Sequence, residues 1–273
     1  MKLGPVFFVL GLLISVLAIA MLVPAAVDFL MDGSGWHVFL ASSGLTLFIG
    51  VALLLTFRGS TTKSLSLRQA FLLTTGSWFV IAFFASFPFA FSDLNMSPTD
   101  AFFESMSGIT TTGSTVIVGL DGLPPGLLLW RSILQWLGGI GIIGMFVAVL
   151  PFLRVGGMRL FATESSEWTE KALPRMKTLS RGLLLVYLVF SVVAVVTYWL
   201  SGMSLFDAFN HGLTSIATGG FSTSDLSMGK FNDLILLEAT FFMIIGSLPF
   251  FLFVREMHGQ HGVLFRDQQV RLF

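Results

Sequence analysis

The chain has 273 residues, 55% of them hydrophobic and only 11% charged, with a formal net charge of zero and a mean hydropathy of +0.88. A soluble exterior needs far more charge, so the composition excludes a soluble globular domain and points to an integral membrane protein. The absence of cysteine excludes a disulfide framework, thiolate metal ligands and a cysteine nucleophile.

Apolar length predicts six spanning helices, at 4–29, 36–57, 69–92, 124–153, 178–200 and 232–254, since about 20 helical residues cross about 30 Å of hydrocarbon. The first apolar run follows Lys2; at about 25 residues it is too long for a signal-peptide core of about 7–15 and reads as a retained span. Six spans put both ends on one side. Loop charge gives the orientation: 13 of the 15 Lys and Arg residues fall on the side of the termini and of the connector between the fourth and fifth spans, and only Arg131 and Lys230 on the other. By the positive-inside rule the termini are cytoplasmic. The outer side carries Asp93, Asp100, Glu104, Asp121, Asp207, Asp225 and Asp233. They either concentrate cations at the mouth or are simply tolerated outside.

A 19-residue stretch occurs twice between these spans, 107 residues apart: SPTDAFFESMSGITTTGST at 97–115 and SLFDAFNHGLTSIATGGFS at 204–222. Seven positions match without a gap, among them Asp100/Asp207, Ile109/Ile216, Thr111/Thr218 and Gly113/Gly220. Each copy opens with a helix start, Ser97 or Ser204 three residues before an Asp, and Pro98 suits the first helical position. About 13 helical residues then reach about 20 Å, half-way through the membrane core. The chain must turn back, and non-helical backbone at that depth survives only buried in protein or lining a wet cavity.

The returning segments are 110–115 (TTTGST) and 217–222 (ATGGFS). Carbonyls and threonine hydroxyls are hard, uncharged oxygen ligands, so a dehydrated monovalent cation can bind and still leave. Aligned carbonyls need dihedrals that glycine takes most cheaply, which accounts for Gly113 and Gly220. The negative C-terminal end of each short helix favours a cation at the membrane centre.

This succession of membrane helix, pore helix, Thr-x-Gly filter and second helix resembles the Trk/Ktr/HKT superfamily of potassium transporters. The TrkH branch, with two extra helices ahead of the first repeat, is the nearest likeness. The resemblance implies an all-α integral membrane fold of tandem helix–pore-helix–helix repeats. It divides the chain into two N-terminal helices (1–57), pore repeat 1 (69–153), a cytoplasmic loop (154–177), pore repeat 2 (178–256) and a cytoplasmic tail or start of a second half (257–273). It implies a filter of Thr111, Thr112, Gly113 and Ser114 with Thr218, Gly219, Gly220 and Phe221, potassium lying at Thr111, Thr112, Thr218 and Gly219. It further implies potassium as the transported ion, no covalent cofactor, a bacterial inner-membrane location, a homodimer of the full-length protein and a TrkA-like cytoplasmic nucleotide-binding regulatory subunit. No nucleic-acid partner is expected. A glycine in each repeat, with no serine in its place, is the family's potassium-type pattern.

The family has four repeats around one pore, and this chain has two. It is read either as the N-terminal half of a longer protein, inert without its second half, or as a chain that must self-assemble. A membrane-embedded enzyme is not expected: H-E-x-x-H and G-x-S-x-G are absent.

Other features take plainer readings. G-x-G-x-x-G at 139–144 lies inside an apolar helix and reads as close packing or a hinge, not a dinucleotide site. Gly246 and Pro249 mark a kink or ordinary membrane-helix residues. Arg131 and Glu238, also 107 apart, read as equivalent positions, each either paired behind the filter, with Glu104 as one partner, or snorkelling to the interface. His211, at the place of Glu104, reads as a packed polar residue. His258 and His261 do not make a metal site. Trp36, Trp130 and Trp199 read as interfacial anchors, and the tail from His258 as lacking a compact fold.

Overall fold

In the computed structural model the described residues are 3–60, 66–153 and 168–272, and every regular element among them is helical. The first span is α1 (Gly4–Ala20) and α2 (Leu22–Leu30), parted at Met21 ahead of Pro24, where the ring removes a helical hydrogen bond. The second is α3 (Trp36–Phe57). The third begins at α4 (Leu67–Ala85), capped by Ser66 and Gln69 holding each other's backbone, and ends in α5 (Phe87–Ala90). The first half-crossing is α6 (Pro98–Ile109), followed by α7 (Pro125–Leu153). The second repeat is α8 (Trp168–Leu200), the short α9 (Leu205–Ile216), α10 (Asp233–Ser247) and α11 (Phe250–Met257).

Among the described residues four spans are long and apolar enough to cross a membrane, Gly4–Leu30, Trp36–Ser60, Arg68–Ala90 and Thr178–Leu200, or five if the bent pair α10 and α11 is one span. The helix of the fifth span begins before 178: 154–167 lie outside the described residues, and the backbone is helical from Trp168 despite Pro174. The sixth span is kinked at Pro249, one of the two readings of Gly246 and Pro249. α10 stops at Ser247, and α11 leaves at 84°. Leu248 is extended, as a residue before proline prefers, and Pro249 offers no N–H to continue the ladder. The tail contains two short helices, α12 (Val263–Arg266) and α13 (Gln268–Leu272), and Glu256 accepts the Gly262 and Leu264 amides.

Two apolar clusters hold the repeats. The first gathers Ile14, Met21, Phe39, Phe89, Trp130 and Leu134 around α7. Trp130 is therefore not an interfacial anchor: it is fully buried and donates its indole N–H to Ala85 O at 3.0 Å. The second gathers Tyr187, Tyr198, Ile216, Ile235 and Phe242. At the end assigned outside, buried Asp28 accepts from Gly35 N at 2.7 Å and Gly126 N at 3.0 Å, joining the α2–α3 turn to the first turn of α7.

Candidate ion-coordinating site

Each half-crossing starts the same way. Asp100 N and Asp207 N donate to Ser97 Oγ and Ser204 Oγ at 3.1 and 3.0 Å, while each serine hydroxyl donates back to the aspartate carboxylate at 2.7 and 2.8 Å. A cap of this kind is worth about 1 kcal/mol. Twelve residues follow in each, a rise of about 18 Å, so neither helix can cross the membrane alone.

Both helices also end the same way. Thr112 N reaches Ser107 O at 2.9 Å and Thr111 N reaches Gly108 O at 3.0 Å; in the second repeat Gly219 N reaches Thr214 O at 2.9 Å and Thr218 N reaches Ser215 O at 3.0 Å. This is the helix-ending motif that normally places glycine in the left-handed position. Here a threonine occupies it, with φ of 55° at Thr111 and 53° at Thr218. A β-branched residue in that conformation costs about 1–2 kcal/mol, and the surroundings must hold it. They do so through the following helix. A Cβ on Gly138 would collide with Ile109 O and stand 3.1 Å from Thr111 Cγ2; one on Gly246 would stand 2.5 Å from Ile216 O and 2.9 Å from Thr218 Cγ2. Each threonine methyl is pinned on a helix glycine, and neither hydroxyl bonds to another described residue. Two residues on, Gly113 and Gly220 both have φ of +80°.

The two returning segments meet: a Cβ on Gly113 would collide with the Gly219 carbonyl. Thr111 and Thr218 are half-buried; Thr112, Ser114 and Gly220 are exposed; Gly219 and Phe221 are buried. Ser114 differs from its neighbours because its carbonyl accepts from Ser107 Oγ at 2.6 Å, on the pore-helix side. Thr112 Oγ1 bonds to Thr110 Oγ1 at 2.9 Å, and Thr110 Oγ1 donates to Met106 O.

Behind the segments lies a buried ion pair. Arg131 Nε meets Glu104 Oε1 at 2.8 Å, with side chains 1% and 0% exposed. Glu104 also accepts from Thr115 Oγ1 and Val116 N, at 2.9 and 3.1 Å. Arg131 Nη1 donates to Ser222 O at 2.7 Å, and its guanidinium lies 4.1 Å from the centre of the Phe221 ring. Arg131 is thus paired and does not snorkel. In the second repeat His211 replaces Glu104, its ring nitrogens 2.8 Å from Asp207 O and 2.9 Å from Ser222 Oγ. Glu238 is not the equivalent of Arg131. The helices after the returning segments begin at Pro125 and Asp233, and Gly138 matches Gly246, so the register shifts from 107 to 108 after those segments. Ala239 stands where Arg131 does. Glu238 takes the Ser201 hydroxyl at 2.5 Å, with no cation among the described residues.

At the end assigned outside, the loops that follow the returning segments clasp each other. Asp121 accepts from Ser224 Oγ at 3.0 Å and Asp225 N at 3.2 Å and pairs with Lys230 at 3.3 Å; Asp225 accepts from Gly119 N at 3.1 Å. The Ser224 hydroxyl, then the Asp225 amide, then Lys230 hold the exposed Asp121 carboxyl below its ordinary value of 3.8.

Residues 37–270 match a family of cation transport proteins, TrkH. The chain belongs to the TrkH family. It is 45% identical over 98% of its length to the Trk system potassium uptake protein TrkI of Halomonas elongata, covering 55% of that protein. To the Trk system potassium uptake protein TrkH of Escherichia coli K12 it is 38% identical over 97%, covering 56%. The crystal structure of the potassium transporter TrkH from Vibrio parahaemolyticus superposes with a TM-score of 0.87 at 36% identity, covering 99% of this chain and 56% of that one. The chain thus spans about half the length of these TrkH relatives.

Asp28, Gly138, Gly246 and Gln135 escape a reading of the sequence. Gly138 precedes the G-x-G-x-x-G run, in which Gly139 is closely packed on the Tyr187 hydroxyl while Gly141 is more open, with Trp78 at 3.7 Å. Gly246 packs against the turn at Ile216 and Thr218; the helix breaks at Leu248–Pro249 instead.

Proposed function

We propose that this chain provides two quarters of a potassium-selective path across a bacterial inner membrane, through which potassium is taken up. The observation that carries the reading is the repeated reversal at the end of each half-crossing: a left-handed threonine whose hydroxyl bonds to no other described residue, then a glycine at φ +80°, in both copies. Thr111, Thr112 and Gly113 with Thr218, Gly219, Gly220 and Phe221 offer backbone carbonyls and hydroxyls as neutral oxygens in place of a hydration shell. Ser114 is a weaker member, since its carbonyl is engaged by Ser107. The relatives named as potassium uptake proteins support the choice of ion.

A dimer of the full-length protein and a TrkA-like nucleotide-binding subunit on the cytoplasmic side belong to the same proposal. No covalent chemistry is assigned to the chain. A second reading, a non-conducting subunit that needs a C-terminal half, is favoured by coverage of 55% of the TrkI relative.

Rubidium-isotope uptake by potassium-starved cells tests both. Uptake with this chain alone means that copies assemble into a path. Uptake only when the C-terminal half of the Halomonas relative is supplied means that the chain conducts as part of a four-repeat protein. No uptake in either case, with both parts in the membrane, refutes the potassium reading.

A further inference from the structure

Gln135 lies on α7, fully buried, and its Oε1 accepts from Phe221 N at 3.0 Å. Its Nε2 has no partner among the described residues, an unbonded buried donor that a hydrophobic side chain would not leave. Gly219 leaves room for this amide, because a Cβ there would collide with it. The equivalent residue in the first copy, Thr112, carries a side chain. Gly219 is therefore required by packing against Gln135.

The bond fixes a direction. A trans peptide is planar, with its carbonyl opposed to its N–H, and no described peptide bond is cis. The peptide whose N–H faces Gln135 carries the carbonyl of Gly220, so that carbonyl faces away from α7. Gly220 itself is exposed, and a Cβ on it would meet nothing within 4 Å. One helical turn away, Arg131 draws the Ser222 carbonyl back toward α7 at 2.7 Å. The two side chains thus set opposite directions for carbonyls two residues apart. In the shifted register their counterparts on α10 are Ala239 and Met243, neither of which has a group that can hold a peptide this way. The brace runs one way, from the first repeat onto the second filter segment.

We propose that Gln135 is a positioning residue that aims the Gly220 carbonyl at the ion path and sets the discrimination between potassium and sodium. The selectivity part rests on the potassium reading above; the orientation part does not. A carbonyl held by its peptide keeps the spacing that replaces the hydration shell of the larger ion, whereas a freed peptide rotates to suit either.

Gln135→Met keeps the length and removes the acceptor; Gln135→Glu keeps the acceptor. Amide hydrogen exchange over the Phe221 peptide is expected to stay slow in wild type and Gln135→Glu and to speed up in Gln135→Met. In competitive uptake by the arrangement that transports, the potassium-over-sodium ratio is expected to fall about fivefold in Gln135→Met, the worth of one hydrogen bond at about 1 kcal/mol, and to stay within about twofold in Gln135→Glu. Equal amounts of protein in the membrane exclude a folding defect as the cause. Slow exchange at Phe221 in Gln135→Met overturns the orientation. An unchanged ion ratio beside a selective wild type overturns the role in selectivity. A wild type without uptake counts against the proposed function, and the exchange arm alone then decides the orientation of the peptide.

Discussion

Removing Arg131 is the most informative single perturbation of what supports the returning segments. Arg131→Met leaves the Glu104 carboxylate, 0% exposed, without its cation and leaves the Ser222 carbonyl without a donor. The Thr115 hydroxyl and Val116 amide still reach the carboxylate, but both are neutral. Breaking a buried pair from one side costs about 3–5 kcal/mol, because the remaining charge is uncompensated. At about 2 °C per kcal/mol for a chain of this size, the unfolding midpoint falls by about 6–10 °C. The double variant Arg131→Met/Glu104→Gln removes both charges and retains an amide oxygen for Thr115 and Val116. It is expected to recover at least half of the loss, a coupling of at least about 1.5 kcal/mol. Thermal unfolding in detergent, followed by tryptophan fluorescence with buried Trp130 adjacent to the site, measures wild type, the single variants Arg131→Met and Glu104→Gln, and the double variant. Strictly additive effects, or an Arg131→Met midpoint within about 2 °C of wild type, would refute the reasoning.

Gly138→Ala drives a methyl into Ile109 O, and Gly141→Ala meets only Trp78 at 3.7 Å; unfolding midpoints should show the first losing about 1–3 kcal/mol and the second almost nothing. Asp28→Ala orphans the Gly35 and Gly126 amides, so a loss of about 2–5 kcal/mol is expected, and Asp28→Asn, which keeps one acceptor, should retain part of it in the same denaturation experiment. Because the folded Asp121 carboxyl titrates below 3.8, it binds protons more weakly folded than unfolded. The advantage of wild type over Asp121→Asn is then fully present above pH 3.8 and fades as pH falls through the folded value. Paired melting curves between neutral and strongly acidic pH would show the midpoints converging, and a gap independent of pH would exclude the clasp as its source.

Much of this architecture is legible in the amino-acid order because its causes are local. A serine three residues before an aspartate caps a helix, and twelve residues cannot reach across a membrane, so both half-crossings can be placed without a structure. Arg131 is legible as a charge too costly to leave alone in an apolar helix. What escapes detection depends on contacts far apart in the chain. Asp28 looks like one more acid near a helix end, yet Gly126 lies 98 residues away. Gly138 is one of many glycines in an apolar stretch until Ile109 O is placed against it. The left-handed dihedral falls on Thr111 as well as Gly113, against propensity, because packing on Gly138 outweighs the local cost. Trp130 sits at a span end by count but inside the bundle by position, since Phe39 of α3 meets its ring edge-on and Ala85 at the end of α4 takes its indole N–H.

The extra residue after the second filter has a practical consequence for anyone who cuts and rejoins these units. A helix residue subtends about 100°, so a chimera that grafts α10 in place of α7 by the spacing of the filters would present the wrong flank. Glu238 would arrive where Arg131 belongs, and Ile245, in place of Gly246, against the turn at Thr111. Splicing by one position more would seat glycine on threonine again. Duplicated segments here are interchangeable parts only after their threads have been re-timed.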